Sequence, residues 1–182
     1  AIANGALTAA QITTGGQNGI KGLGYATFTT NDDGVISIAD LVVLNGVTTG
    51  ANKINADSAT GLTGTFADAK VIYTSATFTT DIDDKPLTLT GTISVADQVA
   101  ADGYTTGVIT ASVSDTAANL VSLVDANSNN KITVSMTGTT ATAADIALVE
   151  ADTASLVTST VGTITGNATI SLTITLPYRH QG

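Results

Sequence analysis

One short pattern recurs along this chain and limits what it can fold into: Ser or Thr, two residues, Asp or Asn, then an apolar run. It opens at Ser37, Thr65, Ser94, Thr116 and Thr142, so successive starts lie 28, 29, 22 and 26 residues apart. Longer echoes overlie it. Ala26-Thr-Phe-Thr-Thr30 returns as Ala76-Thr-Phe-Thr-Thr80, Ser37-Ile-Ala-Asp40 as Ser94-Val-Ala-Asp97, and Thr48-Thr-Gly50 as Thr105-Thr-Gly107. The first pair is offset by 50 residues and the other two by 57, which places a seven-residue insertion within Asp81 to Gly91. A repeat of this length marks units that bury their apolar faces only against their neighbours.

Each start reads as a helix N-terminus. A Ser or Thr hydroxyl accepts from the amide three residues on, and an acid there answers it and meets the positive end of the helix dipole. The following runs carry apolar residues at helical spacing: Leu41 and Leu44; Ala69, Ile72 and Tyr73; Val99; Leu120, Leu123 and Val124; Ile146 and Val149. Five helices of about three turns are expected. Between them lie Thr-, Val- and Ile-rich segments with strand character: 53–56, 76–80, 108–113, 131–136, 156–165 and 168–176. Turns are expected at 32–34, 127–130 and 166–167, and Gly50 and Gly107 are read as leading from a helix into a strand. The expected fold is therefore a β-rich α/β repeat, a solenoid-like stack of strand plus short helix units with a parallel sheet. The alternative is a β-sandwich with short helices in its connections, since 168–176 alternates as a half-exposed antiparallel strand does.

Composition removes several functions. The chain of 182 residues carries a net charge of −9, and its six basic residues, Lys21, Lys53, Lys70, Lys85, Lys131 and Arg179, are scattered. No basic patch exists to neutralise phosphates, so no nucleic-acid partner is expected. With no Cys there are no disulfides, thiolate nucleophiles or Cys-based zinc sites. The longest strongly apolar stretch is Leu41-Val-Val-Leu44, far short of the roughly 20 residues that cross a bilayer, so no membrane insertion is expected. Only 12% of residues are charged while 35 are Thr, and hydrophobic residues reach 43%, a balance that favours folding over disorder. The chain opens at Ala1 with neither Met nor a signal-peptide pattern, as a processed product or a piece of something longer would.

Gly19-Ile-Lys-Gly-Leu-Gly24, Ser37 to Leu41 with Thr48-Thr-Gly50, Thr63-Gly-Thr-Phe-Ala-Asp68 and Ser114-Asp-Thr-Ala-Ala-Asn-Leu120 together resemble a known style of repeat. It is that of the Thr-, Ala- and Gly-rich repeat proteins of bacterial surfaces, marine cyanobacterial ones in particular, and of phage fibre proteins. The resemblance spans roughly residues 19 to 165 and implies an extracellular, cell-surface or virion setting. It brings no catalytic residue with it.

Calcium is the expected cofactor. Thr29, Asn31 and Asp33, followed by Gly34 and then Asp40, keep the spacing of an EF-hand or dockerin-like loop, in which oxygens at positions 1, 3, 5 and 12 converge around a Gly-permitted turn. Thr at position 1 and the short Asp at position 12 depart from that pattern. Asp125, Asn127 and Asn129 repeat its first half, with Met136 at position 12, and Asp81, Asp83 and Asp84 form a third acidic group. The plainer reading makes these Asx-rich turns, with Asp40 a helix-capping acid like Asp68, Asp97 and Asp145. Catalysis finds little: the only His is His180, near the C-terminus, so no Ser or Thr has an imidazole base at hand. Carboxylate pairs such as Asp32 and Asp33 or Asp83 and Asp84 are adjacent acids on turns that point apart. The seven aromatics, Tyr25, Phe28, Phe66, Tyr73, Phe78, Tyr104 and Tyr178, are read mostly as packing residues.

The sequence thus divides into an N-terminal segment for assembly, 1–24, one repeat domain of about five strand-helix units, 25–176, and a C-terminal tail, 177–182. The expected function is that of a non-enzymatic extracellular structural subunit or repeat module. It would self-assemble through terminal strands into a surface layer, filament, adhesin or phage fibre, or project from one. The alternative is a calcium-dependent carbohydrate-binding or adhesive module whose Asn- and Thr-lined sheet face contacts surface glycans. If the loops bind calcium, titration calorimetry gives heat above the buffer blank; a titration without it removes the calcium assignment.

Overall fold

The computed structural model describes residues 27–30, 34–48, 50–51, 54–78, 82–123, 130–152 and 157–166. The chain is mixed α/β. Its strands are β1 (Phe28–Thr29), β2 (Val35–Ser37), β3 (Ile54–Asn55), β4 (Gly61–Gly64), β5 (Leu87–Ile93), β6 (Ile109–Thr116), β7 (Lys131–Thr137), β8 (Thr140–Thr142), β9 (Val157–Ser159) and β10 (Thr163–Thr165). Its helices are α1 (Ile38–Val47), α2 (Phe66–Tyr73), α3 (Val95–Asp102), α4 (Ala117–Leu120) and α5 (Ala143–Asp152).

The principal sheet has six strands in the order β2-β4-β5-β6-β7-β9, every neighbouring pair is parallel, and the sheet is open. Two short parallel pairs accompany it, β1 with β3 and β8 with β10, and Phe78 bridges in parallel to Ile54. Every strand pair among the described residues is parallel, whereas the sandwich alternative calls for antiparallel sheets; 168–176, the segment that suggested it, lies outside the described residues. A parallel neighbour can be reached only by a crossover of a dozen or more residues, and α1, α2, α3 and α5 lie in such crossovers.

Alternation along the strands produces one buried face. Ile109, Ala111 and Val113 of β6 and Ile132, Val134 and Met136 of β7 all point into the core. The register stacks like on like. Ile36 stands beside Leu62, Leu62 beside Leu87 and Leu87 beside Ile109, while Ile93, Val113, Val134 and Val157 form a second apolar row. Leu41 of α1, Ala69 and Ile72 of α2, Val95 and Ala101 of α3, Ala117 and Leu120 of α4 and Val149 of α5 join them in one core. Each fully buried Leu, Ile or Val contributes about 1.5–3 kcal/mol.

All five expected helix starts are present. Thr65, Ser94, Thr116 and Thr142 each accept a bond from the amide three residues on, and Ser94 with Asp97 completes a capping box. Ser37 occupies the N-cap of α1 without a side-chain cap bond. Two expectations need correction. First, α4 is a single turn, not three: the Ser122 hydroxyl donates to the Asn119 carbonyl at 2.6 Å and the Leu123 amide takes the Leu120 carbonyl, which closes the helix off. Second, Val99 is 41% exposed, and α3 buries Val95, Gln98 and Ala101 instead.

The strands were less legible. Segments 53–56, 108–113 and 131–136 correspond to β3, β6 and β7, the described part of 76–80 contributes the Phe78 bridge, and 156–165 is broken into β9 and β10. The segment expected to hold the insertion contains the start of β5, whose pairing with β6 slips between Thr88 and Thr92 around Gly91 at φ +80°. In β4 a Cβ on Gly64 would lie 2.8 Å from Cβ of Ile38, so Gly64 is there to let α1 approach. Residues 1–24, 168–176 and 177–182 lie outside the described residues.

Two contrasts follow. Ser94→Ala should cost about 1 kcal/mol and Ser37→Ala much less, because only Ser94 makes the cap bond. Gly107→Ala should cost about 1–3 kcal/mol, since its Cβ would collide with the Lys85 carbonyl. Urea unfolding midpoints measure all three.

Candidate functional site

The opposite face of the principal sheet is where the structure gathers chemistry. Side chains that alternate away from the core are nearly all hydroxyls, and the register sets them in rows. Ser37, Thr63, Thr88 and Thr110 form one row, which ends at Lys131. Thr92, Ser112 and Thr133 form a second, and Ser114, Ser135 and Thr158 a third. Thr88, Thr92, Ser112, Thr133 and Thr158 are exposed. The Thr158 hydroxyl donates to the Val134 carbonyl at 3.2 Å. Those of Thr88, Thr92, Thr110, Ser112, Thr133 and Ser135 make no hydrogen bond among the described residues, and of these Thr110 and Ser135 are half-buried.

At the ends where the strands begin, polar side chains tie one unit to the next. The Ser58 hydroxyl donates to the Thr30 carbonyl at 2.6 Å, and the Thr105 hydroxyl to the Lys85 carbonyl at 2.7 Å. Asn130 accepts from the Ile109 amide at 2.8 Å through Oδ1 and donates through Nδ2 to Asp102 at 3.0 Å. Lys85 Nζ lies 3.3 Å from Asp84 and 3.7 Å from Asp57.

Three aromatics form a stack beside these ties. The Tyr73 and Tyr104 rings are 5.2 Å apart with planes 9° from parallel, and Phe66 follows at 6.2 Å from Tyr104. Burial, the largest influence, pushes the Tyr73 phenol well above its ordinary range; a hydrogen bond with Thr105 opposes the shift, and the charges of Asp83 and Asp84 add to it. The phenol is a fixed donor, to the Ile82 carbonyl at 3.2 Å. Ring faces spent on one another are not a flat platform for a sugar.

The expected calcium ligands are only partly placed. Thr29 lies exposed on β1, and Asp40 is an exposed acid in the first turn of α1, the position expected of a helix-capping acid. Asn31, Asp33, Asp125, Asn127 and Asn129 lie outside the described residues, as does Asp81. Asp83 is exposed and Asp84 pairs with Lys85. Among the described residues no group of three or more His, Asp or Glu side chains is placed to hold a metal ion. No described helix is long and apolar enough to cross a membrane.

Composition shows the abundance of Thr, but the hydroxyl rows depend on register and the sequence gives no direct sign of it. A Thr-x-Thr or Ser-x-Ser pair such as Thr88-Leu-Thr90 or Ser112-Val-Ser114 is the only local trace. Comparison with protein families, curated proteins and solved structures finds no match for the chain.

Among the described carboxylates, Asp115 is tuned by its partners. Desolvation acts to raise Asp115, but bonds from the Asn119 side chain and from the Thr116 and Val95 amides outweigh it and hold the carboxyl below its usual range. A folded value below the unfolded one stabilises the fold above the unfolded value, near 3.9, and that contribution is lost as pH falls through the folded value. Asp115→Asn should therefore lower the melting temperature near neutrality and flatten its fall below about pH 4, as thermal melts across pH would show.

Proposed function

We propose that the chain is a non-enzymatic, extracellular structural subunit or repeat module, built as a solenoid-like stack of strand-plus-helix units, whose work is assembly and display. It would form part of a surface layer, filament, adhesin or phage fibre. The observation that carries this reading is the agreement of strand order with chain order in an all-parallel sheet. Between the last two units the hydrogen bonds keep one offset: Thr158 to Val134, Thr160 to Met136 and Thr165 to Ala141 all span 24 residues.

Such a sheet has two unlike ends. Among the described residues no strand pairs with the outer side of β2 or of β9. At the β2 end Val35 is 61% exposed, and beyond β9 in the chain Ile164 of the separate β8–β10 pair is 53% exposed, so apolar surface accompanies these edge strands. Joining one copy's β2 to another's β9 continues the parallel sheet, and a contact between unlike surfaces leaves further ends free, which gives open-ended growth. Terminal segments and calcium would act at those joints. The second reading, a calcium-dependent carbohydrate-binding or adhesive module, draws on the hydroxyl face.

Electron microscopy of the purified protein with calcium, and again with a chelator, tests the first reading. Filaments, tubes or sheets are expected with calcium and dispersal with the chelator; monodisperse particles under both conditions would count against self-assembly, and sugar-competed binding on a glycan array would favour the second reading.

A further inference from the structure

Thr88, Thr110, Thr92, Ser112, Thr133 and Ser135 occupy neighbouring outward positions on β5, β6 and β7, and their hydroxyls make no hydrogen bond among the described residues. Parallel pairing holds adjacent strands about 4.8 Å apart, and outward side chains on one strand recur about every 6.6 Å, so on β6 and β7 the hydroxyls repeat along two axes, while on β5 the slip around Gly91 separates Thr88 and Thr92 by four residues along the strand. The β-branched Thr side chains have restricted χ1, which fixes their hydroxyls and methyls relative to the backbone. A small soluble ligand is gripped by polar groups that converge in a concave site, whereas these hydroxyls are spread over three neighbouring strands of an open sheet. What suits it is a partner that is itself extended and periodic.

Charge and side-chain type narrow the partner. The rows hold one formal charge, on Lys131 at the edge, and no carboxylate, which does not fit an ionic mineral lattice. No aromatic ring lies in the rows, and Phe66, Tyr73 and Tyr104 stack on one another, which does not fit the ring-against-ring contact of a crystalline polysaccharide. Away from Lys131 the array is neutral: its hydroxyls can donate and accept, and its four Thr add methyls, which water orders around without bonding to them, a combination that fits a neutral lattice of water molecules. We propose that this face of the sheet binds ice. The proposal goes beyond assembly and display and does not depend on it.

Ice-affinity partitioning of the purified protein, in which a polycrystalline ice front grows slowly through the solution, tests it directly. The protein should be enriched in the ice fraction, whereas a folded protein of similar size without such a face stays in the liquid. Ser112→Lys and, separately, Thr133→Lys place a charge at the centre of the rows on exposed positions, so each should lose the enrichment while keeping the far-ultraviolet circular dichroism of the parent. Ala144→Lys, exposed on α5 away from the rows, should keep it. Exclusion of the parent protein from ice overturns the proposal. So does enrichment that both row variants retain, and so does adsorption to cellulose or chitin crystals with exclusion from ice, which would give the face to a polysaccharide.

Discussion

The parallel backbone ladder that joins each strand to the next one in the chain is the interaction on which the rest of the molecule depends. Antiparallel neighbours can be linked by two residues, but parallel neighbours demand a return path as long as the strand and more. Each step of the chain must therefore contain a strand, a turn away from the sheet and a way back. Helices serve best for the return because they satisfy their own backbone groups while presenting an apolar stripe to the sheet. The five N-caps recur because the return begins at the same place in each unit, directly after the strand ends: Ser37 closes β2, Thr116 closes β6 and Thr142 closes β8.

The same ladder explains the composition. Stacking in register puts like residues side by side, so each inward row is a continuous apolar strip and each outward row repeats one kind of polar residue. Charges repeated in such a row would repel at about 4.8 Å. Thr and Ser do not repel, and Thr has high strand propensity. A chain with many Thr and few charges is therefore what an all-parallel sheet with one solvated face selects.

Helix starts were legible in the sequence because a cap is local: the hydroxyl, the amide it bonds and the acid all lie within four residues, as at Ser94 and Asp97. Strands were less so, since a parallel strand is defined by neighbours more than twenty residues away. The short Gly-Leu-Thr-Gly strand β4 carries no alternation of its own and is a strand because Val35 and Leu87 on either side pair with it. Periodicity misplaced Val99 because α3 turns Gln98 inward, a polar residue that no apolar count would choose. The hydroxyl rows were legible as composition only, and the calcium spacing falls mostly on residues outside those described.

Rows of like residues leave a problem that the apolar core does not solve. A strip of Val and Ile packs almost as well when one strand slides by two residues, since the side-chain pattern is restored. The polar ties at the strand beginnings remove that freedom. Thr105 reaches one carbonyl, that of Lys85, and Gly107 beside it allows no Cβ, so β6 can sit against β5 in a single position. Asn130 bonds the Ile109 amide with one end of its amide and Asp102 with the other, which fixes β7 against β6 and also against the end of α3. Sliding by two residues would break both bonds at once and leave buried or half-buried polar groups unmatched, at about 1–3 kcal/mol each. The core gives the stack its cohesion, and these few hydroxyl and amide contacts decide its register.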